Sequence, residues 1–134
     1  MRSIRLSFKA LSFKGLAGAA LATLVAASSA QAHHSFAMFD RTKRVTLVGT
    51  VKAFQWTNPH SWVQLTVPGA QGEMEEWSIE ALSPNVLGRQ GWKRNTLNPG
   101  DKVSVIINPL RDGSKGGNLV AVTLANGETL GGGA

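Results

Sequence analysis

The sequence predicts a mainly β chain: a small five-stranded OB-like Greek-key barrel with one short helix between strands 3 and 4, preceded by a signal-peptide helix. Three observations carry that reading. Beyond residue 44, apolar residues recur with a period of two in five separate runs. The period breaks once, after the third run, at Ser83-Pro84. The first 32 residues have the layout of an export signal and not of a domain.

The export signal has three parts. Arg2, Arg5, Lys9 and Lys14 form a basic stretch, an apolar stretch runs from Leu16 to Ala27, and Ala30-Gln-Ala32 is a small-x-small cleavage site. The apolar stretch is shorter than the roughly 20 residues that span a bilayer. The predicted organisation is a signal peptide (1–32), an N-terminal arm (33–44), the barrel domain (45–130) and a disordered tail (131–134). Cleavage after Ala32 places the mature chain in the periplasm or outside the cell, with no stable membrane insertion. An Arg-Arg pair is absent, which fits general secretion.

Cleavage changes the charge argument. The full chain carries +6, but four of its 14 basic residues and none of its 8 acidic ones lie in the signal, which leaves +2. So small a charge, spread along an exported chain, argues against a nucleic-acid partner. With no cysteine there is no thiolate nucleophile, zinc-thiolate site or dithiol chemistry.

The first strand alternates Val45, Leu47, Val51 and Ala53 with polar residues, and Gly49 within it predicts a bulge or sharp bend. Asn58-Pro59 marks a turn in the connection 54–61. Strand two runs from Trp62 to Val67 with Val63, Leu65 and Val67 on one face. Strand three runs from Glu75 to Ala81 with Trp77, Ile79 and Ala81 inward and Glu80 outward. Ser83 is placed to cap a helix that has Pro84 at its first position and ends near Gln90 at Gly91. Asn98-Pro-Gly-Asp101 is a tight turn. Strand four covers Lys102 to Ile107 and strand five Leu119 to Leu124, with a polar, glycine-rich loop over 108–117 between them. Strand, strand, strand, helix, strand, strand is the element order of an OB-fold; the rival is a small open sandwich.

Ala32-His-His-Ser-Phe36, Trp56-Thr-Asn-Pro-His60, Trp77-Ser-Ile-Glu80, Ser83-Pro-Asn85, Pro99-Gly-Asp-Lys-Val103 and Pro109-Leu-Arg-Asp-Gly113 together resemble a family of small exported bacterial proteins of unknown function. The resemblance covers nearly all of the mature chain and implies no activity. The architecture is also similar to that of periplasmic OB-fold proteins, a likeness of fold alone.

Two candidate sites follow from the residues. The three histidines are His33, His34 and His60, and two of them open the mature chain. Cleavage frees an α-amine that His33 can offer to one metal ion together with its imidazole, with His34 or His60 adding another. Nitrogen-rich sets of this kind suit copper(II). The arrangement resembles the N-terminal histidine brace of copper oxygenases and periplasmic copper carriers, which have other folds. Met38 suits copper(I) as a thioether or the core as filler. The bland alternative is a loose N-terminus and a turn histidine.

The second site is aromatic. Trp56 and Trp62 flank the His60 turn and can stack on a ligand, whereas Trp77 reads as core and Trp92 as a plug at the helix end. Arg89, Lys93 and Arg94 read as a solvated basic face. Glu76 and Glu80 on one strand stand roughly 13 Å apart, beyond the roughly 5–9.5 Å of glycosidase pairs. Ser35 has no acidic neighbour nearer than Asp40.

The functional expectation is therefore a small exported binding module, with copper at His33, His34 and His60 as candidate cofactor. The alternative is a metal-free module that binds a protein, glycan or small molecule through Trp56, Trp62 and the loops. A copper-dependent redox enzyme is the third reading.

Overall fold

A computed structural model describes residues 36–132. The expected signal segment (1–32), with the expected cleavage-site residues Ala30 and Ala32, and His33 and His34 lie outside the described residues. Among the described residues no helix is long and apolar enough to cross a membrane.

The strands are β1 (Val45–Gln55), β2 (Trp62–Pro68), β3 (Met74–Glu80), β4 (Lys102–Pro109), β5 (Gly116–Thr123) and β6 (Thr129–Gly131). One helix, α1 (Pro84–Arg89), lies between β3 and β4. The sheet order is β3-β2-β1-β4-β5-β6, and a parallel pairing of β3 with β5 closes the first five strands into a barrel. This is the OB-like Greek-key barrel that the element order predicts.

β1 is long because it serves two neighbours. Val45 to Thr50 pair with β4, and Thr50 to Gln55 pair with β2. The strand must therefore turn from one side of the barrel to the other. The sequence suggests Gly49 for that bend, but the register shift falls between Val51 and Ala53. Gly49 has a different task. A Cβ there would stand 2.6 Å from the Thr66 carbonyl oxygen, so its hydrogen lets β1 and β2 backbones approach closely.

Alternation fixes what faces inward. Val63, Leu65 and Val67 of β2 are buried, as are Leu47 and Val51 of β1, Val103, Val105 and Ile107 of β4, and Leu119 and Val122 of β5. In β3, Ile79 is fully buried opposite Val63, and Trp77 packs partly buried opposite Leu65. The outer face of the β2–β3 hairpin then carries Trp62, Gln64 and Thr66 opposite Glu80, Ser78 and Glu76.

α1 is a single short plug. Ser83 precedes it, but its side chain makes no capping bond; its carbonyl oxygen instead accepts from the Val86 and Leu87 amides at 3.0 Å. Gly91 ends the turn at φ +91°, and the Trp92 amide reaches back to the Leu87 carbonyl at 3.1 Å. Leu87 and Trp92 then drop into the core. The Trp92 indole N–H donates to the Gly131 carbonyl oxygen at 2.8 Å.

That bond involves an element the sequence reading lacks. β6 pairs with the end of β5, and the Gly132 amide donates to the Val120 carbonyl oxygen at 2.7 Å. Gly131, which the sequence reading places in the tail, lies in β6, and Gly132 is hydrogen-bonded to β5. β4 and β5 are also longer than expected, and the glycine-rich connection shrinks to residues 110–115.

Gly116 and Gly117 consequently sit inside β5, at the seam where it meets β3. A Cβ at Gly117 would lie 2.5 Å from the Asn108 carbonyl oxygen and 2.7 Å from Ile107 Cδ1. Gly117→Ala must push two strands apart and is expected to destabilise the fold by about 1–3 kcal/mol in urea denaturation. Gly88, inside α1 with nothing within 4 Å of its virtual Cβ, gives the opposite outcome: Gly88→Ala gains about 0.5–1 kcal/mol. Equal effects at the two glycines would contradict this account of the seam.

Candidate functional site

The N-terminal arm is sewn onto the barrel beside this seam. Phe39 is buried and forms an antiparallel bridge with Leu110. The Asp40 amide donates to the Pro109 carbonyl oxygen at 2.8 Å, and the Arg111 amide donates to the Met38 carbonyl oxygen at 2.9 Å. Asn108, itself buried, donates through Nδ2 to the Lys43 carbonyl oxygen at 2.8 Å. Asp40 shapes the following turn by accepting from the Thr42 hydroxyl at 2.6 Å and the Thr42 amide at 3.2 Å. Those bonds, the Thr42 hydroxyl first, hold its carboxyl below the usual range.

The 110–115 connection is ordered in the same way. Asp112 accepts from the Ser114 hydroxyl at 2.6 Å and the Ser114 amide at 2.9 Å, and Gly113 takes φ +80°. The Ser78 amide of β3 donates to the Lys115 carbonyl oxygen at 3.1 Å. Lys115 sends its ammonium to Glu75 Oε1 at 2.8 Å, and the Trp77 indole N–H donates to Glu75 Oε2 at 3.0 Å. The Lys115 bond and then the Trp77 bond hold the Glu75 carboxyl below its ordinary value. Because its folded value is depressed, the stability Glu75 adds is present above the ordinary carboxylate range and is lost as pH falls through the folded value.

Arm, hairpin face and connection enclose a pocket of about 250 Å³ over the seam. Met38 and Phe39 come from the arm, Trp62 from β2, Ser78 and Glu80 from β3, and Leu110 and residues 114–117 from the connection and the start of β5. The wall is largely apolar. Its polar members among the described residues are Ser78, Ser114, Lys115 and Glu80, and the Glu80 residue surface is only 6% exposed.

Glu80 points to the outer face, as its alternation predicts, yet it is buried. Trp62 lies directly opposite it, and the arm lies over the same region. A carboxylate taken out of water is costly unless it is paired. Its partner is His60, whose Nδ1 meets Glu80 Oε1. His60 ends the turn that contains the cis Asn58-Pro59 bond, and the Thr57 hydroxyl closes that turn onto the His60 carbonyl oxygen at 2.9 Å. A carboxylate on Nδ1 fixes the plane of the imidazole ring.

The structure therefore divides the residues singled out from sequence. Trp62 and Met38 line the pocket, and His60 joins it through Glu80. Trp56 does not line it; its ring packs edge-on against Phe54, with centroids 5.7 Å apart, at the margin of the core. Trp92 packs against the same Phe54. Among the described residues no group of three or more His, Cys, Asp or Glu side chains is placed to hold a metal ion. Glu80, Phe39 and Leu110 are the site residues that sequence reasoning missed.

A closed OB-like barrel with a pocket on the outer face of β2 and β3 defines the class of domain. Residues 20–119 match the model of a family of unknown function, DUF6152, and the chain belongs to that family. No curated protein and no solved structure matches it.

Removing His60 would leave the Glu80 carboxylate without its partner. His60→Ala is expected to cost about 1–3 kcal/mol in urea denaturation, and adding Glu80→Gln should restore part of that loss. A neutral single variant, or a double variant less stable than the sum of the two singles, would contradict the pairing.

Proposed function

We propose that this chain is a small exported binding module whose ligand enters the seam pocket. The observation that carries the proposal is the buried Glu80 carboxylate, paired with His60, in a largely apolar wall and opposite Trp62 in the hairpin register. Small-molecule sites combine an apolar lining with a few fixed polar groups in this way. A fold needs no buried carboxylate here, and the pair costs desolvation that a hydrophobic pair would not. Export rests on residues 1–32, whose cleavage after Ala32 would make His33 the first residue.

A second reading is favoured by the carboxylate on His60 Nδ1, the partner that metal-binding imidazoles usually have. In that reading copper is held by the His33 amine and imidazole together with His60, and His34 is a further donor.

Both readings are tested on protein purified after export. Backbone amide shifts during titration with a panel of small organic molecules should map to residues 78–80 and 114–117, and Trp62→Ala should abolish them. Shifts elsewhere, or none, would remove the pocket reading. For copper, calorimetry should show binding that weakens when a Met precedes His33 or when His60→Ala is introduced; indifference to both changes would remove that reading.

A further inference from the structure

We propose that the seam pocket selects an organic cation, an ammonium or guanidinium group on a short apolar body. This deepens the pocket reading above and rests on it. The charges on the pocket wall carry the argument. Among the described lining residues Lys115 is the one cation, and Glu75 pairs with it at 2.8 Å. The nearby Arg111 guanidinium is turned to the arm, donating through Nε to the Ala37 carbonyl oxygen at 3.1 Å. Glu80 then remains as the anion of the wall. It gives one oxygen to His60, and among the described residues its other oxygen accepts no hydrogen bond.

The rest of the wall suits the same guest. Trp62 stands across from Glu80 in the β2–β3 register, so a cation beside the carboxylate also meets an aromatic ring, whose face attracts positive charge. Phe39, Met38 and Leu110 supply the apolar surface for a short alkyl body. Other guests fit less well. A sugar presents a hydroxyl on nearly every carbon, but the described wall offers few polar groups to meet them: Ser78 already accepts from Gln64 Nε2 at 3.1 Å, Ser114 already donates to Asp112 at 2.6 Å, and one Glu80 oxygen can serve a single hydroxyl. Most of its hydroxyls would be buried against carbon without partners. An anion would meet the Glu80 carboxylate, and among the described lining residues the one cation, Lys115, is already paired with Glu75. The volume of about 250 Å³ is just below the roughly 300–1,000 Å³ of drug-sized sites, which limits the guest to a small one.

The test compares three probes of one shape on the purified protein at mildly alkaline pH: n-butylammonium, n-butanol and butyrate. Amide shifts at residues 78–80 and 114–117 report the pocket. Butylammonium should bind there at least about tenfold more tightly than the alcohol or the acid. Trp62→Leu should weaken it about fivefold, and Glu80→Gln, where folded, should bring ammonium and alcohol to equal affinity. Because the three-probe comparison needs no variant, a destabilised Glu80→Gln does not spoil it. Butanol or butyrate binding as tightly as butylammonium at these amides would overturn the cation inference and leave the pocket reading standing. Shifts confined to other amides, or no binding by any probe, would overturn both.

Discussion

The parallel contact between β3 and β5 is the constraint on which the rest of this structure depends. It is short, joining Ser78, Ile79 and Glu80 to Gly116, Gly117 and Asn118. Without it the five strands are an open sheet with two exposed edges. With it they enclose one core, and β6 covers the part of β5 that β3 does not reach. The contact requires backbone to approach backbone where a side chain would intrude, and Gly116 meets that requirement: a Cβ there would stand 2.9 Å from the Ser78 carbonyl oxygen, while the adjacent Gly117 makes the same allowance against β4 on the other side of β5. Strand closure and the floor of the pocket are thus made by the same few residues.

The site grows from that seam in layers. Closure brings the 110–115 connection alongside β3, and Leu110 then receives Phe39, which anchors the arm. The arm in turn covers the region of Glu80, turning an outward-facing strand residue into a buried one. Burial creates the need for a partner, and the β1–β2 turn supplies His60. The pair is consistent with a working role because it brings cost without obvious structural gain: hydrophobic residues of similar volume would fill the same space without desolvating a charge.

Much of the barrel was legible in the sequence because its strands follow a period of two and its turns use Asn, Pro and Gly. The seam was not. Gly116 and Gly117 look like loop residues in a polar run, and only the approach of Asn108 and Ser78 explains them as strand. Gly49 misled in the other direction, since a strand glycine signals either a bend or a close approach and the sequence does not say which. The site was half legible. His60 and Trp62 stood out by residue type, and Glu80 was correctly placed on the outer face. Their association depends on hairpin register, which sets Trp62 opposite Glu80. That register is fixed by a turn in which the Gly69 amide donates to the Glu73 carbonyl oxygen at 2.7 Å, a geometry that the glycine content alone does not specify. Phe39 was invisible as a site residue because nothing local says that an arm will bridge to residue 110.

Amide hydrogen exchange tests the central claim most directly. The Ser78 amide of β3 bonds to the Lys115 carbonyl oxygen beside β5 at 3.1 Å, so it reports the seam. If closure holds the barrel and its pocket together, this amide exchanges only through global unfolding, as slowly as those of Leu65 and Val105 in the core. Exchange at Ser78 several orders of magnitude faster than at Leu65 would mean that the seam opens on its own. The barrel would then not depend on it, and the pocket would not be a preformed site.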